Sequence, residues 1–243
     1  MTFWKFPRTE HLGQNSEIVD DDRSMSADAF FGHLVNPALT QQHHGAARLV
    51  LQEKVDGANV SVHFEEEYEP IAQKRTGIIG HGEQRQFAVY RDWVSENVDE
   101  LWNALGTRYV LYGEWLWKQH AIVYDSLPSY FMAFDVLDKE SQLFLATPRV
   151  VALLEPYGIH TVPLLLNASL SELPEAQRRP DALEKLVSTH IRASNVGSEV
   201  AEGVYARIED DLHVLERAKL RRKTFVSGRQ DFHRNEANNS LRS

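Results

Sequence analysis

Apolar and polar positions along the chain follow two rhythms. Leu49 to Val55, Ala58 to Phe64 and Ile71 to Thr76 are short runs rich in Val and Ile, which predict strands, and Asp56-Gly57 separates the first two as a turn. Phe87, Tyr90, Val94, Val98, Leu101 and Leu105 instead recur at helical spacing, predicting one helix over 87–105 closed by Gly106. Strand texture resumes at Arg108 to Leu116 and Tyr130 to Leu137, with Gln142 to Leu145 as the return arm of a hairpin through Asp138-Lys139-Glu140. Thr147 as N-cap and Pro148 at the first helical position open a helix that Pro156 and Gly158 end. A polar, Pro-punctuated stretch, Ser169 to Pro180, leads to a helix from Asp181 to His190. The closing strands are Ala201 to Ile208 and Leu212 to Leu220, joined by Glu209-Asp210-Asp211. Upstream, Phe3 to His43 reads as loop, except for a capped helix over Ser26 to Leu34 with Phe30, Phe31 and Leu34 on one stripe. The pattern is that of an α+β protein with mostly antiparallel strands and flanking helices.

Composition narrows the class. The 243 residues are 42% hydrophobic and 25% charged, enough for one globular domain over residues 1–225, followed by a polar tail over 226–243 ordered in part near Phe232. Lys plus Arg number 26 against 35 for Asp plus Glu, a formal charge of −9, so a nucleic-acid partner must meet a local basic face. The absence of cysteine excludes disulfides, thiolate metal sites and a cysteine nucleophile. No apolar run approaches the ~20 residues that span a bilayer, and the opening residues lack the apolar stretch of a secretory signal, so the reading is cytoplasmic, without a membrane partner.

The chemistry concentrates in a few places. Glu53-Lys54-Val55-Asp56-Gly57-Ala58-Asn59 places a lysine where a strand meets a tight turn, with a glycine that admits close approach of a ligand. Alone, this is equally an Asp-Gly hairpin whose lysine faces solvent. Further along come Lys74-Arg75-Thr76-Gly77, Leu111-Tyr112-Gly113-Glu114-Trp115, Phe131-Met132-Ala133-Phe134-Asp135, Glu202-Gly203-Val204 and Arg217-Ala218-Lys219-Leu220-Arg221. In that order these elements resemble the signature of the covalent nucleotidyltransferases, the polynucleotide ligases and mRNA capping enzymes. Asn59, Arg75-Thr76-Gly77 and the opening Lys-Phe-Pro-Arg-Thr-Glu-His-Leu are most similar to the phage-type, nick-sealing RNA ligases. The phage prototype has histidine where this chain has Asp56.

The resemblance implies a nucleotidyltransferase (ATP-grasp-like ligase) core of antiparallel sheets with flanking helices, and no OB-fold, since the residues after Lys219 leave no room for one. It implies an ATP-dependent RNA ligase that joins 5′-phosphate and 3′-hydroxyl ends through a lysyl-AMP and an RNA-adenylate. Lys54 would be the nucleophile, and Lys219 and Arg221 the basic pair that binds the α-phosphate and makes the amine less basic. Glu53, Asn59, Arg75, Glu114 and Phe134 would also line the ATP site, Glu114 on the ribose and Phe134 stacked on adenine. Glu202, assisted by Asp56, would order the water shell of Mg²⁺ or Mn²⁺. Arg75, Arg217, Arg222 and Lys223 would meet the RNA. Nicked or broken RNA ends are the implied partners, with an end-healing kinase or phosphatase as a further one. A minimal DNA ligase or GTP-using capping-type enzyme, and a noncatalytic nucleotide-binding subunit of an RNA repair complex, are the alternatives.

Overall fold

The computed structural model describes residues 1–13, 23–40, 44–222 and 237–242. Its strands are β1 (Glu10–Leu12), β2 (Ser24–Met25), β3 (Arg48–Lys54), β4 (Ala58–Glu66), β5 (Glu69–Lys74), β6 (Gly77–Ile78), β7 (Tyr109–Trp115), β8 (Phe131–Asp138), β9 (Leu164–Ser169), β10 (Gly203–Glu209) and β11 (Val214–Arg221). Its helices are α1 (Ala27–Val35), α2 (Pro37–Thr40), α3 (Arg85–Glu96), α4 (Val98–Leu105), α5 (Thr147–Leu154) and α6 (Pro180–Thr189). They divide into two compact units, one formed by Met1–Pro7, Asp56–Thr161 and Arg229–Ser243, the other by Arg8–Val55 and Val162–Gly228.

The second of these is built on a six-stranded sheet of order β2-β1-β11-β10-β3-β9, antiparallel except where β1 pairs in parallel with β11 and β2. Alternation along β3 and β10 turns Leu49, Leu51, Val204, Ala206 and Ile208 toward Phe30, Phe31 and Leu34 of α1 and Leu183 and Val187 of α6. The opposite face carries Gln52 and Lys54 in register with Tyr205 and Gly203. Ser26 caps α1, its hydroxyl accepting the Ala29 N–H at 3.2 Å.

The other unit holds a five-stranded antiparallel sheet of order β6-β5-β4-β7-β8. Val60, Val62, Phe64, Leu111, Trp115, Phe131 and Ala133 pack against Tyr90 and Val94 of α3, Leu101 and Leu105 of α4, and Val150 and Leu154 of α5. On the other face lies the N-terminal segment. Trp4 N–H donates to Gln73 Oε1 at 2.9 Å, Trp4 O accepts the Tyr112 hydroxyl at 3.1 Å, and the Phe6 ring sits 5.2 Å from that of Phe134. With cover on both faces, every residue of β8 is buried.

Several expectations need correction. Asp56-Gly57 joins no hairpin: β3 pairs with β10 and β9, and β4 with β5 and β7, so the chain leaves one sheet at Val55 and enters the other. The single helix over 87–105 is two, broken at Asn97, whose side-chain Nδ2 donates to Trp93 O at 2.7 Å and competes with the helical ladder. Gln142 to Leu145 makes only one bridge, Leu137 to Phe144, because the tight turn at Gln142 (φ 60) leaves few residues to pair. Thr147 is the first helical residue, with Ala146 as cap. Within the segment read as loop, β1 and β2 form through pairing with residues distant in the chain, and β9 forms in a stretch for which the pattern predicted no element; Leu164-Leu165-Leu166 lacks the alternation that marks a half-buried strand. Lys223, Phe232 and residues 226–236 lie outside the described residues, whereas Ala237–Arg242 pack into the five-stranded unit.

Candidate active site

In the six-stranded unit, Lys54 at the end of β3 stands opposite Gly203 on β10, and Gly203 opposite Arg221 on β11. Glu202 precedes that glycine and pairs with both flanking cations: Lys54 Nζ donates to Oε2 at 2.6 Å, and Arg221 Nε lies 3.0 Å from Oε1 as an ion pair. The carboxylate side chain is 4% exposed, and these cationic partners make its burial tolerable. Gly203 permits the arrangement because a Cβ there would fall 2.1 Å from the Leu220 carbonyl oxygen. A side chain would push the start of β10 off β11 and carry Glu202 with it.

The strand period of two places Arg217 and Lys219 on the same face as Arg221, with Arg217 opposite Arg207 and Lys219 between Tyr205 and His11. The buried Arg207 donates through Nη1 to Gln52 Oε1, with its guanidinium 6.0 Å from the Tyr205 ring centre. Arg222 follows the strand, its N–H donating to Glu202 O at 3.0 Å. Glu53 turns to the helix-covered face, where its carboxylate accepts from Ser194 Oγ, from Asn195 N–H at 2.9 Å and from Asn195 Nδ2 at 3.2 Å. It anchors the 194–195 loop. Nothing in the sequence pointed to Ser194 and Asn195, which lie some 140 residues away along the chain.

The five-stranded unit holds the remaining candidates on neutral donors. Gly57 N–H donates to Glu114 Oε1 at 3.2 Å, and Asn59 lies opposite Glu114 in the β4–β7 register. A Cβ on Gly57 would fall 2.7 Å from both Trp115 O and Leu116 Cδ2, so the Asp-Gly pair is required by close approach of backbone. Asp56 N–H donates to the Tyr124 hydroxyl at 2.8 Å, Asp56 Oδ2 accepts Ala121 N–H at 2.8 Å, and His120 Nδ1 lies 3.8 Å from Oδ1. Arg75 is exposed, its N–H bonded to Asn59 O at 3.2 Å, while Lys74 Nζ pairs with Glu83 at 2.6 Å. Phe134 sits at the bulge between the Tyr112 and Gly113 pairings, 6% exposed against Phe6. Among the described residues, no group of three or more His, Asp or Glu gathers as a metal cage.

The RNA ligase family model matches residues 47–223, a stretch that runs from β3 through Arg221 and contains Lys54, Asp56, Glu114, Glu202 and Lys219. The chain belongs to the RNA ligase family. Its fold is also that of solved members. A lysine-to-alanine mutant of Naegleria gruberi RNA ligase with ATP and Mn shares 14% identity over 90% of this chain and 60% of that one, with a TM-score of 0.51. A glutamate-to-alanine mutant of the same ligase, also with ATP and Mn, shares 12% identity over 91% and 63%, with a TM-score of 0.52. An archaeal ATP-dependent RNA ligase shares 20% identity over 90% of this chain and 48% of that one, with a TM-score of 0.53. The chain thus spans between about half and three-fifths of the length of these structures. No curated protein matches it in sequence.

Proposed function

We propose that this family member is an ATP-dependent RNA ligase, joining 5′-phosphate to 3′-hydroxyl RNA ends through a lysyl-AMP and then an RNA-adenylate. The observation that carries the reading is the Lys54–Glu202–Arg221 contact, inside the stretch that defines the family. In the first step the Lys54 ammonium, which has no lone pair, gives up one proton to solvent. The Nζ–phosphorus bond then forms at the α-phosphate, the bond from that phosphorus to the bridging oxygen of pyrophosphate breaks, and a second proton leaves the nitrogen for solvent or the departing pyrophosphate. Arg221 shares the Glu202 carboxylate with Lys54, which divides its charge between two cations. Lys219 and Arg221, on the same sheet face as Lys54, would take the phosphate charge, while Asn59, Glu114 and Phe134 would serve the adenosine.

A divalent ion fits this donor set on one condition. With one buried carboxylate at Glu202 and one at Asp56, and no cage among the described residues, the ion would keep most of its water and bind through phosphate oxygens, as Mg²⁺ prefers. It would supply charge neutralisation on the triphosphate. RNA ends would meet Arg75, Arg217, Arg222 and Lys223 through phosphate contacts. An end-healing kinase or phosphatase would act first on damaged ends, in the cytoplasm.

The test is covalent labelling. α-Labelled ATP, and not GTP, should become attached to the wild-type chain and leave the Lys54→Ala variant unlabelled. Label from GTP would favour a capping-type enzyme, and no label from either would favour a noncatalytic subunit.

A further inference from the structure

Between the end of β7 at Trp115 and the start of β8 at Phe131 the chain runs without helix or strand. Such a stretch inside a compact unit must find partners for its backbone groups elsewhere. They come from the far end of the sequence. Asn239 N–H donates to Trp117 O at 3.1 Å, Ser240 N–H to Tyr124 O at 3.0 Å, Leu127 N–H to Ser240 O at 3.2 Å, and Arg242 N–H to Leu127 O at 2.9 Å.

The Asn239 side chain does more than close a ladder. It is 3% exposed; Nδ2 donates to Leu116 O at 2.7 Å while Oδ1 accepts Tyr124 N–H at 2.9 Å. Only an amide offers a donor and an acceptor to these two groups at once without burying a charge. Tyr124 is fully buried, and its hydroxyl accepts the Asp56 N–H at 2.8 Å. In the same segment, Ala121 N–H holds the Asp56 carboxylate at 2.8 Å. A continuous series of short hydrogen bonds therefore runs from Asn239 through Tyr124 to Asp56, two residues along the chain from Lys54. Asn239 lies outside the stretch matched by the family model.

We infer that Asn239 and Tyr124 are positioning residues for lysine adenylation, Asn239 fixing Tyr124 and Tyr124 fixing Asp56. The inference rests on the ligase reading above. A polar segment near the end of the sequence, with no chemistry of its own, then governs the rate of the first step by holding the residue after Lys54-Val55 in place.

The experiment measures single-turnover adenylation of the full chain with α-labelled ATP for wild type, Tyr124→Phe, Asn239→Ala and the double variant, each with a thermal melt. Tyr124→Phe keeps the ring and its packing and removes the acceptor for Asp56 N–H, so the fold should hold. Both single variants should adenylate roughly tenfold more slowly at saturating ATP, with the half-saturating ATP concentration changed by less than about twofold, because misplacement acts on the reacting end of the site. The double variant should be no slower than Asn239→Ala, because the two substitutions cut the same connection. Wild-type rates in both single variants overturn the inference. So do losses that multiply in the double variant, or that follow the unfolded fraction at the assay temperature. A wild-type chain that takes up no label overturns the ligase reading itself, and this inference with it.

Discussion

In the six-stranded unit the groups around the candidate nucleophile are held by one another's charge, whereas the candidate carboxylates of the five-stranded unit are held by backbone N–H groups. Lys54 and Arg221 share one buried carboxylate, Glu202; Asp56 and Glu114 are fixed by the N–H groups of Ala121 and Gly57. The difference has a physical consequence. Long cationic side chains on a shared counter-ion can exchange that partner for an incoming phosphate, while carboxylates on backbone donors keep their place throughout. The first arrangement suits a group that must be released to react, the second a group that must wait in position.

The harshest way to break this comparison is at the nucleophile. Lys54→Ala and Lys54→Arg should both abolish covalent AMP, and Lys54→Arg, which keeps a cation beside Glu202, should do so with the thermal midpoint little changed; adenylate accumulating on Lys54→Arg would end the assignment. Next comes the shared carboxylate. Glu202→Ala leaves two cations near the surface of the unit without their counter-ion, so adenylation should fall by about a hundredfold or more and stability by about 3 kcal/mol in urea melts. Full stability in that variant would mean that charge does not organise this half.

The glycines sharpen the contrast between the sheets. Gly203→Ala forces a Cβ 2.1 Å from the Leu220 carbonyl oxygen, whereas Gly57→Ala meets Trp115 O and the Leu116 side chain at 2.7 Å. Both should destabilise, by about 2–3 kcal/mol at Gly203 and less at Gly57, since the clash with backbone is at 2.1 Å in the first and 2.7 Å in the second. Equal losses would remove the distinction.

A smaller effect tests how the five-stranded unit treats a buried polar group. His63 is fully buried, neither of its ring nitrogens has a hydrogen-bond partner among the described residues, and burial together with the nearby Lys139 lowers its pKa from 6.5 to about 4. The unfolded chain binds this proton more readily than the folded one. Stability is therefore complete above pH 6.5 and should decline by about 2 kcal/mol as the pH falls toward 4. His63→Leu should flatten that part of the acid limb in melts run across the range; an unchanged limb would locate the titration elsewhere. The smallest effect belongs to Arg108 and Asp138, paired at 2.6 Å with the arginine half exposed. The guanidinium holds the Asp138 carboxyl down to about 2, so its contribution is present above pH 3.8 and lost as the pH falls through 2. Solvent screening should keep the loss in Arg108→Ala small, well short of that in Glu202→Ala.

Much of the chain declared itself locally. The apolar stripes of α1 and α6, the alternation in β3, β4, β7, β10 and β11, and the close-packed Asp-Gly after Lys54 follow from periods of 3.6 and 2 and from the steric demands of single residues. The short β1 and the edge strands β2 and β9 did not, because their pairing comes from distant segments rather than from their own residues. The split of the long helix at Asn97 turned on one side-chain amide finding the Trp93 carbonyl.

At the candidate site the division is similar. Spacing and order along the sequence determined which residue types are present, from Lys54 through Glu114 and Glu202 to Lys219 and Arg221, and the strand period determined that Arg217, Lys219 and Arg221 share a face. Only the tertiary structure decided the partners. It gave Glu202 to Lys54 and Arg221, Glu53 to Ser194 and Asn195, Phe134 to Phe6, and Asp56 to a tyrosine braced by Asn239. The reason is that periodicity reports which side of an element is buried, whereas a buried charge or amide must be matched by whatever donor or acceptor the fold brings within about 3 Å, however far away it lies in the chain.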